Sequence, residues 1–115
     1  MQIKNHTIIF GTKDNDEEMG KFYTEMLGFS PNEMGGYTLG NLTVFFDRHS
    51  QAAVQALEPF RCMITLEVED IQKAYEELKG KGVEFVRTPE AEEWGGKFAT
   101  FKDPDGNYLQ IYQHP

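Results

Sequence analysis

Apolar positions along the chain recur first at one period and then at another, and each change of period marks an element. Residues 3–10, IKNHTIIF, are rich in Ile and Phe and predict a strand, followed by a polar run, GTKDNDEE, suited to a helix start. Met19, Phe22, Tyr23, Met26 and Leu27 then fall on one helical stripe that Gly28 can end. Short pieces around 30–33, 37–39 and 42–47, separated by Gly35-Gly36 and Gly40-Asn41, predict a three-stranded meander.

The second half repeats this order. A strand over 62–68 precedes Asp70, a plausible N-cap, and Ile71, Ala74, Tyr75 and Leu78 form the next helical stripe, ended by Gly80 and Gly82. Strands follow over 83–87, 98–102 and 108–113, the last two joined by the turn sequence DPDGN. The prediction is an α+β chain, one domain over 1–115, made of two βαβββ modules, about 1–50 and about 61–115. A linker over 48–60 holds a short helical turn that Pro59 ends. One helix covers one face of each sheet, and the open faces, set together within a chain or across two chains, would enclose a cleft.

Composition narrows the partners. Eleven Lys and Arg against nineteen Asp and Glu give a formal charge of −8 and a pI near 4.8, which repels a phosphate backbone and argues against nucleic acid. No apolar run spans a bilayer and no secretory signal opens the chain, so a cytoplasmic protein without membrane contact is expected. The single cysteine, Cys62, fits a reducing compartment and by alternation should be buried towards the helix.

With that order in place, FYTEMLGF at 22–29, LEVEDIQKAYEELKGKGVEF at 66–85 and EWGGKFATFKDPDGNYLQIYQ at 93–113 resemble the vicinal oxygen chelate superfamily of glyoxalases, bleomycin-resistance proteins and extradiol dioxygenases. The resemblance implies curved mixed sheets around a cavity, commonly completed by a homodimer. It also implies, for the family's metalloenzymes, a divalent ion held from the first and last strands of each module. Those positions carry His6, Phe45, Met63 and Gln110 here. Phe45 has no lone pair, Met63 a soft thioether and Gln110 only a neutral amide, so no metal is expected; if one binds, His6 and Gln110 hold it.

Strand alternation, with the family pattern choosing the cavity face, turns His6, Ile8 and Phe10 inward, with Met63, Thr65 and Glu67, Phe45 and Asp47, and Tyr108, Gln110 and Tyr112. Ile9, Ile64, Leu66, Leu109 and Ile111 then pack on helices. The expected ligand-binding set is His6, Phe10, Phe45, Met63, Trp94, Tyr108, Gln110 and Tyr112. Trp94 serves as a lid over the pocket mouth or packs on the neighbouring module. His6 with Glu67 or Asp47 offers an acid/base pair for metal-free proton transfer. Such a lining suits a partly aromatic organic molecule, held by stacking and oriented by a few polar groups. Three readings stay open: a sequestering protein without cofactor, a metal-dependent lyase, isomerase or dioxygenase with an atypical site, and a regulatory module without either activity.

Overall fold

The computed structural model describes all 115 residues, which divide into two compact units, Met1–Val54 and Gln55–Pro115. In the first unit the order is β1 (Ile8–Thr12), α1 (Asp16–Glu25), β2 (Ser30–Pro31), β3 (Tyr37–Leu39) and β4 (Leu42–Arg48). Their sheet runs β1-β4-β3-β2, with β1 parallel to β4 and the other pairs antiparallel. The helix forms because Met19 and Tyr23, one turn apart, both reach full burial, the Tyr23 ring 4.8 Å from that of Phe46 on the sheet. It stops where Gly28 N–H donates to the Thr24 carbonyl and Phe29 N–H to that of Tyr23. Gly20 admits the Tyr37 ring against the helix, since a Cβ there would collide with the phenol.

The second unit holds β5 (Ile64–Glu67), α2 (Ile71–Gly80), β6 (Phe85–Ala91), β7 (Lys97–Lys102) and β8 (Tyr108–Gln113), in the sheet order β5-β8-β7-β6. Again the first strand lies parallel to the last, and the rest are antiparallel. Asp70 caps α2 by accepting from Lys73 N–H at 3.1 Å, and Gln113 Oε1 accepts from Ile71 N–H at 2.8 Å. Ile71, Leu78, Val83, Ala99, Phe101, Leu109 and Ile111 form the buried layer between helix and sheet. Tyr75, Phe85 and Phe101 extend it as an aromatic chain, the first pair edge-to-face at 4.7 Å and the second tilted at 5.5 Å between centroids.

Four expectations change. The first strand begins at Ile8, so His6 precedes it. Asn5 Oδ1 accepts from His6 N–H, a local bond that competes with strand pairing, and the ladder to β4 opens only at Ile8 opposite Val44. The phase of that strand is also reversed. Phe10 stacks on Phe46 at 5.9 Å and lies 6.4 Å from Tyr23, on the helix side, whereas Ile9 is 61 % exposed on the other face. Three consecutive apolar residues, Ile8-Ile9-Phe10, leave alternation unable to choose a face, and the aromatic cluster decides it. Cys62 is exposed because it precedes β5 and no strand pairing orients it. Residues 50–62 are turns and bends without a helix. Their second part is tied down by Ala56 N–H to the Asp105 carbonyl and by Gln55 Nε2 to the Pro104 carbonyl.

Candidate functional site

The open face of the second sheet carries the densest chemistry. Cross-strand pairing sets Arg87 beside Thr100, Thr100 beside Gln110, and Gln110 beside Thr65, so four polar side chains form one row across β6, β7, β8 and β5. At about 4.8 Å between strands the row is roughly 14 Å long. Gln110 Nε2 donates to Thr65 Oγ1 at 2.8 Å, which fixes the amide and leaves its carbonyl oxygen as an acceptor.

Apolar banks flank the row. On one side Phe60 and Tyr108 meet edge-to-face at 4.7 Å; with Met63, Val86, Arg87, Thr100 and Gln110 they line a recess of about 460 Å³. On the other side Phe98 stacks on Tyr112 at 4.7 Å, and Trp94 lies 6.1 Å from each. A glycine makes that seat possible: a Cβ at Gly96 would strike the indole ring.

Arg87 reaches this face through an irregularity. Phe85 faces Phe101 and Arg87 faces Thr100, so two residues of β6 advance against one of β7, a bulge at Val86. Regular alternation would send Arg87 to the helix side with Phe85. Its Nη2 donates to Glu92 at 2.9 Å and to Glu90 at 3.3 Å. The bond to Glu92 raises the guanidinium pKa against the opposing effect of burial, so the cation is permanent.

The residues singled out from the sequence separate into three places. Met63, Tyr108 and Gln110 line the recess, and Tyr112 and Trp94 form the opposite bank with Phe98. Trp94 packs on its own sheet against Phe98 and Tyr112 and is not among the residues that line the recess. Phe45 and His6 belong to the first unit. Phe45 lies on that sheet's open side over Gly36, and His6 lines a recess of about 330 Å³ with Thr7, Ile8, Asn41, Leu42 and Thr43. Phe10 lies half-buried on the helix side of that sheet, against Tyr23 and Phe46. The His6 ring makes no hydrogen bond or ion pair with Asp47. Glu67 flanks Tyr112 at the edge of the second sheet.

Sequence reasoning missed Arg87, Thr100, Phe98, Phe60 and Val86. Phe98 and Thr100 alternate within KFATFK and were legible as one face; the bulge that turns Arg87 was not.

The comparisons place this architecture. The model of the glyoxalase/bleomycin resistance protein/dioxygenase superfamily matches residues 5–111. The chain belongs to that superfamily. Solved structures share its fold over nearly the whole length. A glyoxalase/bleomycin resistance protein/dioxygenase from Nocardioides gives a TM-score of 0.76 at 19 % identity, covering 98 % of this chain and 84 % of that one. A hypothetical protein from S. aureus gives 0.75 at 25 % identity, covering 99 % and 96 %. Among curated relatives, the uncharacterized protein YetH of Bacillus subtilis is 42 % identical over 63 residues, 55 % of this chain and 52 % of YetH. The bleomycin resistance protein of Klebsiella pneumoniae is 32 % identical over 62 residues, 48 % of each. The matches thus span about half the length of these relatives.

The superfamily's metalloenzymes imply a divalent ion, for which the matching positions of this chain, His6, Phe45, Met63 and Gln110, supply one imidazole, one thioether and one neutral amide. No group of three or more His, Cys, Asp or Glu side chains is arranged so that it could hold a metal ion. In the second unit the expected positions offer the Met63 thioether and a Gln110 amide already engaged with Thr65. No helix is long and apolar enough to cross a membrane.

Proposed function

We infer that this protein binds a small, partly aromatic organic molecule on the open face of its second sheet, without a metal, and acts by sequestering it. The observation that carries the reading is the polar row Arg87–Thr100–Gln110–Thr65 set between two aromatic banks. A flat ring finds apolar walls in Phe60, Met63 and Tyr108, while its polar edge meets donors and acceptors of fixed orientation. The bleomycin resistance protein among the relatives supports small-molecule capture as the class of function. The homodimer expected from the resemblance is read separately, by light scattering.

The test is a library of planar aromatic compounds screened by thermal unfolding on EDTA-treated protein, the wild type beside Tyr108→Ala. A compound at about a hundred times its dissociation constant stabilises the fold by roughly 2.7 kcal/mol. The reading expects hits that Tyr108→Ala weakens, and no added stabilisation from Ni²⁺, Zn²⁺, Mn²⁺ or Fe²⁺. A rise with one metal alone, lost on His6→Ala or Gln110→Ala, would replace it with the metalloenzyme reading.

A further inference from the structure

We propose that Arg87 is the specificity-determining residue of the recess and selects an aromatic acid, a ring bearing a carboxylate, as the ligand. The inference rests on the binding reading above and names the chemical class that this site prefers.

Three observations carry it. First, Arg87 is the one charged residue among those lining the recess; Phe60, Met63, Val86, Thr100, Tyr108 and Gln110 are all neutral. Second, the Val86 bulge interrupts the ladder at the point where it turns Arg87 onto this face. Bulges recur where a side chain must be re-aimed. Third, the guanidinium is held without being used up. Both carboxylates, Glu90 and Glu92, take hydrogen bonds from Nη2 alone. A guanidinium has five N–H donors, so those on Nε and Nη1 remain for a ligand, and the side chain is 35 % exposed.

Two anchors on one nitrogen pin the fork in a single orientation, which lowers the cost of ordering it when a carboxylate docks. The acceptor left on Gln110, two strands along the row from Arg87, suits a hydroxyl further round the ring. Glu90 and Glu92, at 59 % and 38 % side-chain exposure, oppose an anion docked on the same guanidinium, so selection rests on the directed hydrogen bonds that Nε and Nη1 offer rather than on net charge.

The experiment uses three probes of one shape: para-hydroxybenzoate, para-hydroxybenzamide and para-hydroxybenzylamine. Each is titrated by calorimetry into the wild type, Arg87→Gln and Arg87→Lys, with the melting temperature of each variant recorded. The benzoate should bind tightest and lose about ten- to a hundredfold in affinity in Arg87→Gln, with Arg87→Lys in between. The benzamide should bind wild type and Arg87→Gln alike.

Equal loss of benzoate and benzamide would make Arg87 a structural clip for the hairpin and overturn the proposal. Preference for the benzylamine, or benzoate affinity independent of Arg87, would overturn it too while leaving the binding reading in place. If none of the three binds and the aromatic library also yields nothing, both fail.

Discussion

The two sheets share strand order, one parallel pair and one covering helix, yet their open faces differ. On the first, the corresponding polar row is Ser30, Thr38 and Thr43, three short side chains with no charge, and it stops before β1, whose ladder begins one residue later at Ile8 opposite Val44. Beside it Ile9 stands 61 % exposed and Phe45 covers Gly36. On the second, the row crosses all four strands, ends in a cation and runs between aromatic banks. A repeated backbone plan therefore fixes where a face lies and leaves its chemistry to the side chains and to one bulge.

That contrast can be broken most forcefully from below. Phe101→Ala opens a cavity in the layer beneath the polar row and should cost about 3–5 kcal/mol in denaturant unfolding. A loss under 1 kcal/mol would mean that the helix side is not the core of this unit. On the open faces the pair Tyr108→Ala and Phe45→Ala sharpens it. The first should weaken an aromatic ligand about tenfold or more. The second should leave affinity unchanged, and an equal effect of both would assign ligand binding to the first unit as well. Gly96→Ala should displace Trp94 from Phe98 and Tyr112, seen as a red-shifted and broadened indole emission, at a cost of about 1–2 kcal/mol. Asp70→Ala removes the cap of α2 and should cost about 1 kcal/mol.

The smallest effect belongs to α1, whose first turn is acidic and whose Asp16 carboxylate receives Arg48 Nε at 2.7 Å. That bond holds the Asp16 pKa below its ordinary value. A lowered folded pKa stabilises at pH above the ordinary carboxylate value and is lost as pH falls through the folded one. Asp16→Asn should flatten the acid limb of the stability curve slightly, because the pair is exposed and screened.

Much of this was legible in the residues. Met19 and Tyr23, or Ile71 and Leu78, can satisfy their spacing only on helices, and the turn at DPDGN announces a hairpin, so element order and the paired modules followed from period alone. Tyr108, Gln110 and Tyr112 alternate with Leu109 and Ile111, which fixed their face. The phase of β1 was not legible, because Ile8, Ile9 and Phe10 satisfy either face until Tyr23 and Phe46 are in place. Nor was Arg87, whose direction depends on an extra residue that no hydrophobic pattern encodes. Thr88 and Pro89 mark β6 as irregular, and Pro89 sits where a second shift occurs.

The central claim is that a ligand seats on the polar row of the second sheet. Titration of para-hydroxybenzoate into uniformly ¹⁵N-labelled protein, followed by amide shifts, tests it most directly. The account predicts saturating shifts at Thr65, Arg87, Thr100 and Gln110, with Ile9 and Phe45 unmoved. Shifts confined to the first unit, or none at all with this acid while other aromatic compounds move His6 and Asn41, would contradict it.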